Sequence, residues 1–358
     1  MTNKLNVLQI IDSLEVGGAE MMAVNMANGL VDRGVESHLC ATRKEGGLKV
    51  KLSSKVQYFF LTKNNLFDLR ALNKLIEYVK LHRISIIHVH STSVFFSAFL
   101  KFFCPKLKLI WHNHTGANTN LTQGLKYYAL IFVLKFYCTI INVSNDLNVW
   151  STTKIKFKDS KYLSNFPSKN IEKTTFLKSK KSKKIIIVAA LRKEKKHLNL
   201  LKAYNQIKEN YPDWSLHIIG TIPKTTNTDT IKEYIEKNDL KDSVFLYGAV
   251  LDVFHVLSQA DIAVLSSKSE GLPVSLLEYG LAGLPVVVTN VGECKNVVNS
   301  FGLIVEKNNS EALFLALEQY IKDKELRQKM GENFKKHIEN NYSEKIYFDK
   351  LIKIYNQC

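Results

Sequence analysis

The sequence predicts an α/β protein built from two doubly wound domains, and three observations carry that prediction. The chain has 358 residues, more than one hydrophobic core normally sustains. Near-continuous apolar runs alternate with helical segments along its length, the pattern of parallel sheets covered on both faces. The alternation stops at a lysine-rich, aromatic-poor tract at 167–184 and then starts again, which reads as a linker.

In the first half the expected strands are VLQIID (7–12), ESHLCAT (36–42), VQYFFLT (56–62), ISIIHVHS (84–91), LKLIWHNH (107–114) and TIINVSN (139–145). Helical segments separate them, most clearly at 68–82 and 121–137. The second half restarts with KKIIIVAAL (183–191), followed by SLHIIG (215–220), VFLYG (244–248), DIAVLSS (261–267) and PVVVT (285–289). Domains of this type bind ligands at the carboxyl ends of their strands.

Composition narrows the function. Hydrophobic residues make up 46% of the chain and aromatics 10%, which is globular. The net charge is +17, yet only six of the 50 basic residues are arginine. Nucleic-acid readers lean on the arginine fork, so no nucleic-acid partner is expected. The lysines, crowded at 153–184, reflect either codon usage without function or attraction to anionic lipids and phosphorylated substrates. The five cysteines are odd in number and lack C-x-x-C spacing. Neither a disulfide framework nor a zinc site is expected, in keeping with a cytoplasmic location. The N-terminus lacks a secretory signal pattern. The longest apolar window, 125–143, is interrupted by Lys126 and Lys135 and reads as a buried helix running into a strand rather than a membrane span.

Two segments carry chemistry. In LNVLQIIDSLEVGGAEMMAVNMANGL (5–30) a strand leads through Gly17-Gly18 into a helix, a geometry that presents backbone N–H groups to anions. The spacing is not G-x-G-x-x-G, and the plain alternative is a tight turn before a helix. In ADIAVLSSKSEGLPVSLLEYGLAGLPVVVTNVGE (260–293) a strand ends near Ser267, and Pro273 stands where a first helical residue belongs. The helix is expected to reach about Ala282, with Gly283 closing it. Glu270 then lies on the loop and Glu278 on the helix, so the two carboxylates can grip different parts of one ligand. The N–H groups of Val274 and Ser275 point between them at a phosphate; the alternative is a solvated loop and an exposed helix face.

SEGLPVSLLEYGLAGLPVVVTNVGE resembles the E-x7-E segment of retaining nucleotide-sugar glycosyltransferases of family 4, and VGGAE (16–20) resembles that family's N-terminal glycine loop. The resemblance runs from Val7 to the closing helix near Tyr355. It implies the GT-B architecture, two Rossmann-like domains facing across a cleft. The domains expected are residues 1–165, on the acceptor side, and 166–358, on the donor side, with the last helix, about 343–358, packing back on the first domain. The resemblance assigns the ribose hydroxyls to Glu278 and hydroxyls of the transferred sugar to Glu270, with the backbone of Gly271 and Leu272 beside it. Gly17 and Gly18 let the backbone approach the diphosphate. The family's phosphate lysine falls on Lys195, whereas its arginine position holds Ala190; Arg192, Lys193 or Lys196 are the shifted candidates. A cation here neutralises the leaving diphosphate.

Histidines cluster in HVH (88–90) and HNH (112–114), each at a strand end. Metal ligation is one reading, since alternate strand residues share a face, but no D-x-D or carboxylate pair accompanies them. The family's sugar-contacting histidine matches His114 best and His112 second, leaving His88 and His90 structural or cleft-lining. Asn145, Asn165 and Gly248 are further candidates. No metal and no cofactor is expected; the nucleotide-diphosphate sugar is a substrate, and the partner is a glycan or lipid-linked acceptor. The implied reaction is a same-face substitution in which the leaving phosphate helps deprotonate the acceptor.

Several rivals are weighed against this reading. A nucleotide-dependent oxidoreductase lacks its glycine fingerprint and ribose acid. A non-catalytic nucleotide-sugar or nucleic-acid binder leaves Glu270, Glu278 and Lys195 without a purpose. A nucleotide-sugar epimerase or sugar phosphorylase on the same scaffold stays open. SVFFSAFLKFFCPKLK (93–108) interleaves five phenylalanines with Lys101, Lys106 and Lys108. It reads either as an amphipathic helix for an anionic membrane surface or as a helix packed on the first sheet.

Overall fold

The computed structural model describes residues 5–169, 173–178 and 183–358. It divides into two compact units, Met1–Asn165 with Lys345–Cys358, and Phe166–Glu344. The linker tract lies partly outside the described residues. Of its described part, Thr174 and Thr175 donate backbone N–H groups to the Asp252 carboxylate at 2.7 and 2.6 Å, fastening it to the second unit.

The first unit contains β1 (Asn6–Ser13), α1 (Gly18–Val31), β2 (Glu36–Lys44), β3 (Gln57–Phe60), α2 (Leu69–Leu81), β4 (Ile86–His90), α3 (Val94–Ser97), α4 (Leu100–Phe103), β5 (Lys108–Asn113), α5 (Leu125–Leu134), β6 (Thr139–Asn142), α6 (Asn145–Thr153) and β7 (Ser160–Tyr162). Its strands form one parallel sheet in the order β3-β2-β1-β4-β5-β6-β7. The apolar runs bury one core around Leu8, Ile87, Val89, Trp111 and Ile140. Asp68 and Ser144 cap α2 and α6 by accepting from the N–H groups of Ala71 and Leu147.

The second unit contains β8 (Lys183–Val188), α7 (His197–Asn210), β9 (Trp214–Ile219), α8 (Thr226–Lys237), β10 (Val244–Gly248), α9 (Val253–Leu257), β11 (Ile262–Leu265), α10 (Val274–Leu281), β12 (Val286–Thr289), α11 (Cys294–Val298), β13 (Leu303–Val305), α12 (Ser310–Lys322) and α13 (Lys324–Asn341). Its parallel sheet runs β10-β9-β8-β11-β12-β13. The closing helix α14 (Glu344–Gln357) returns to the first unit. There Tyr347, Phe348, Leu351 and Tyr355 are buried, and the Arg33 guanidinium sits 4.0 Å above the Phe348 ring.

Each expected strand forms, and the structure corrects four local expectations. Residues 93–108 are not one helix but two single turns, α3 and α4, followed by a loop into β5. The Lys101 ammonium donates to the carbonyls of Pro105 and Leu107 and so stabilises the break. Helix α5 is not buried: Leu130 and Leu134 face the core, while Leu125, Tyr128 and Phe132 are exposed, because it covers the sheet with one face only. Two short strands, β7 and β13, escape the sequence pattern. Cys138 and Cys358 form a disulfide with Cα atoms 5.9 Å apart, contrary to the expected absence of one. Their separation of 220 residues hides the pairing until α14 folds back. Among the described residues no helix is long and apolar enough to cross a membrane.

Candidate functional site

Each sheet reverses its strand order once, between β1 and β4 in the first unit and between β8 and β11 in the second. Such switch points open a crevice at the carboxyl ends of the strands. Lys195 follows β8 and Glu270 follows β11, so the second unit's switch point lies between them.

After β8 a single turn, Lys193–Lys195, leads to Lys196, whose φ of 54° is left-handed, and α7 begins at His197. The Lys195 ammonium donates to Glu270 Oε1 at 2.5 Å, and Ser267 Oγ donates to the same oxygen at 2.5 Å. Glu270 Oε2 has no partner among the described residues. The Glu270 side chain is 8% exposed and that of Lys195 20%, so the pair is partly withdrawn from water. Two further bonds fasten the loops: Ser266 Oγ donates to the Lys195 carbonyl at 2.9 Å, and the Lys268 N–H to the Glu194 carbonyl at 2.7 Å.

A second layer braces Glu270 from behind. Thr289 Oγ1, at the end of β12, donates to the Ser267 carbonyl at 2.6 Å, and the Glu293 N–H donates to the Gly271 carbonyl at 2.9 Å. Gly292 has a φ of +51°, and a Cβ there would run into the carbonyl oxygens of Glu270 and Gly271. Only glycine meets both demands. The Tyr279 hydroxyl accepts from the Val188 N–H at 2.6 Å and donates to the Val264 carbonyl at 3.4 Å, tying α10 to the ends of β8 and β11.

Helix α10 starts one residue later than expected. Pro273 is its N-cap, with ψ of 121°, and Val274 is the first helical residue; the extended ψ carries the chain away from the helical path. Gly283, with φ of +77°, closes the helix as expected. Leu272 and Val274 are buried, so this segment offers backbone rather than side chains. Glu278 is the fifth residue of α10 and half-buried. Arg192 is exposed. Gly248, with φ of +74°, ends the edge strand β10, two strands from β8.

In the first unit Gly17 is the extended N-cap of α1 and Gly18 its first residue. A Cβ on Gly17 would meet only the carboxylate end of the flexible Glu20 side chain, so local packing does not itself demand glycine there. Asp12, which the sequence did not single out, accepts from Thr42 and Thr92 at 2.6 Å, from Ser93 at 3.0 Å and from Lys63 at 3.3 Å. Burial pushes its carboxyl up, but these donors outweigh it and hold it below the usual carboxylate range. Asn145 opens α6 and is exposed, whereas Asn165 is buried.

The histidines assemble by register. Gln9 pairs with His88 across β1 and β4, and His90 pairs with His112 across β4 and β5. His88, His90 and His112 therefore share one face and are wholly buried; the expectation that His112 serves as an accessible sugar contact does not fit its burial. His114, just past β5, is half-buried. Nitrogens of His88, His90 and His112 lie within 4.8 Å of one another. His88 Nε2 and His112 Nδ1 already hydrogen-bond at 3.0 Å, and the group includes no carboxylate. A cavity of about 270 Å³, lined in part by Leu257, Asp261, Pro285 and Arg327, lies at the opposite, amino ends of β11 and β12 and holds none of the candidate residues.

Residues 16–151 match the family model described as Glycosyltransferase Family 4, and residues 168–337 the model of Glycosyl transferases group 1. An uncharacterized glycosyltransferase of Haemophilus influenzae is 26% identical over 353 residues, covering 92% of this chain and 94% of the relative. A UDP-Gal:α-D-GlcNAc-diphosphoundecaprenol α-1,3-galactosyltransferase of Escherichia coli is 31% identical over 173 residues, 47% of this chain and 44% of the relative. The crystal structure of Anabaena HepE in complex with UDP and glucose superposes with a TM-score of 0.84 at 17% identity, covering 99% of this chain and 100% of that one.

Proposed function

The chain belongs to glycosyltransferase family 4 and has the GT-B fold of two Rossmann-like domains, and from that premise we propose that it moves a sugar from a nucleotide-diphosphate sugar to a glycan or lipid-linked acceptor with retention of configuration. The observation that carries this reading is the Lys195–Glu270 pair at the second unit's switch point, with Glu270 Oε2 left to accept further hydrogen bonds. In this reading Lys195 neutralises the donor diphosphate, helped by Arg192 and by the N–H groups of Val274 and Ser275 at the start of α10. Glu270, flanked by the backbone of Gly271 and Leu272 before Pro273, takes hydroxyls of the transferred sugar. Glu278 takes the ribose hydroxyls. His114 hydrogen-bonds a sugar hydroxyl, and Gly17 and Gly18 let the backbone near the diphosphate.

The bond from the anomeric carbon to the diphosphate breaks while a bond to the acceptor oxygen forms on the same face. The acceptor proton passes to the leaving phosphate oxygen, so no protein nucleophile is consumed. The protein supplies orientation and charge. Because cationic side chains take the role of a metal, turnover is expected to persist in chelator.

A cytoplasmic, membrane-apposed site is the natural setting for a lipid-linked acceptor, of the kind the Escherichia coli relative is named for. The exposed aromatic face of the first unit supports it. Phe102, Phe103, Tyr128 and Phe132 are 63, 54, 64 and 58% exposed, and exposed Lys106, Lys126 and Lys135 lie on the same segments. Aromatic and basic groups together suit an anionic lipid interface.

The test is a thermal-shift screen of nucleotide-diphosphate sugars, followed by transfer from the best donor in EDTA and NMR of the product anomer. Retained configuration supports the reading. An inverted product, turnover that only added metal restores, or release of free sugar without any acceptor requirement would each refute a part of it, the last favouring an epimerase or phosphorylase.

A further inference from the structure

We propose that Gln9 and Tyr355 are positioning residues that fix the tautomer of all four strand-end histidines, so that His114 presents Nδ1 as an acceptor to a sugar hydroxyl. The sugar contact rests on the glycosyl-transfer reading; the tautomer assignment does not.

The six side chains form one unbranched chain of hydrogen bonds. His114 Nε2 lies 2.9 Å from His90 Nδ1, and His90 Nε2 lies 2.7 Å from Gln9 Oε1. Gln9 Nε2 donates to the Tyr355 hydroxyl at 3.3 Å. That hydroxyl lies 2.8 Å from His88 Nδ1, and His88 Nε2 lies 3.0 Å from His112 Nδ1. Gln9, His88, His90, His112 and Tyr355 are 0% exposed, so water does not relieve a wrong proton.

The direction follows from the amide. A carbonyl oxygen only accepts and an amide nitrogen only donates, so Gln9 Oε1 requires a proton on His90 Nε2. A neutral imidazole has one N–H, which leaves His90 Nδ1 to accept from His114 Nε2. On the other side the Tyr355 oxygen accepts from Gln9, and its hydrogen has one acceptor, His88 Nδ1. His88 Nε2–H then donates to His112 Nδ1. Burial keeps the rings neutral: it holds His88 and His114 down at about 3, and His90 and His112 well below their ordinary value. All four rings are therefore Nε2–H, and reversing the Gln9 amide would make all four Nδ1–H.

The ends of the chain are unequal. His112 Nε2 is buried with no partner among the described residues, a costly arrangement adopted because every other position in the chain is committed. His114 Nδ1 has no partner among the described residues and belongs to the half-buried ring. Gln9, acting through His90, thus sets what His114 can offer a ligand, while Tyr355 sets His88 and His112 from a helix some 240 residues downstream.

Long-range proton–nitrogen NMR of histidine-labelled protein reads the tautomers directly. The expected result is four rings protonated at Nε2. Tyr355→Phe is expected to release His88 and His112 from a single tautomer and to leave His90 and His114 as Nε2–H. Gln9→Leu is expected to release His114 as well and to lower kcat/KM for the donor roughly three- to tenfold, the worth of one hydrogen bond. An Nδ1–H ring in the parent protein would overturn the assignment even if neither variant folds. Stoichiometric zinc binding that displaces these nitrogen signals would overturn it too, in favour of a metal site. Correct tautomers with unchanged donor kinetics in Gln9→Leu would overturn the sugar contact alone, whereas a parent protein that uses no nucleotide sugar would overturn the transferase reading and leave the tautomers standing.

Discussion

Replacing Lys195 by methionine is expected to cost more stability than replacing its partner Glu270 by glutamine. At 2.5 Å the two charges attract by about 6–7 kcal/mol at an effective dielectric of about 20, most of it offset by desolvation. The methionine variant leaves a carboxylate that is only 8% exposed with Ser267 as its remaining donor. Removing one member of a buried pair costs about 3–5 kcal/mol, and since Lys195 is 20% exposed the lower end applies, about 3 kcal/mol. Glu270→Gln leaves an ammonium that can turn to water and should cost about 1 kcal/mol. The double variant should be less destabilised than Lys195→Met alone. Urea unfolding of the four proteins measures the coupling, expected near 2 kcal/mol. Additive losses would refute the Lys195–Glu270 pairing on which the proposed site rests.

Three further outcomes follow from the structure. Buried neutral histidines are pushed below their ordinary value, to about 3 at His88 and His114, so the unfolded chain binds protons below about pH 6.5 that the native rings refuse. Stability is complete above that pH and falls on acidification at about 1.4 kcal/mol per pH unit for each ring; unchanged melting between pH 7 and pH 4 would contradict the neutral network. Gly292→Ala should destabilise the second unit by about 1–3 kcal/mol and weaken donor binding, since its Cβ would displace the Glu270 carbonyl; calorimetry of a variant with parental melting and affinity would count against this brace. Phe102→Ser with Phe132→Ser should reduce sedimentation with anionic vesicles at low salt without changing transfer to a soluble acceptor, and undiminished sedimentation would remove the aromatic face as the contact.

What the sequence could express was local. Apolar runs located every long strand, since a doubly covered parallel sheet writes itself as continuous Val, Ile and Leu. The three-residue strands β7 and β13 are too short to carry a pattern. At 93–108 the alternation of Phe and Lys looks helical, but the Lys101 bonds to two carbonyls that break the helix are not encoded in a period. Glu270 and Lys195 were found because their neighbours form a recognisable motif. Thr289, Gly292 and Tyr279 were missed, because what they brace becomes visible only when β8, β11 and β12 lie side by side. Asp12 looked like any strand-end acid until Thr42, Lys63, Thr92 and Ser93 converged on it. The histidine pairs were conspicuous, yet Tyr355 orders His88 and His112 from the far end of the chain, as Cys358 reaches Cys138 from just past the same helix.

The most direct measurement is a calorimetric titration of the parent and Glu278→Gln with the nucleotide diphosphate of the preferred donor, after equal melting temperatures are established. The substitution keeps the shape of the side chain and removes its charge. A ribose clamp then loses charge-assisted hydrogen bonds worth about 1.5–3 kcal/mol, or roughly ten- to a hundred-fold in affinity. A drop of that size with an unchanged fold is the result expected of a nucleotide-sugar site on α10. Equal affinity in the two proteins would place Glu278 on an ordinary helix surface and contradict the donor site.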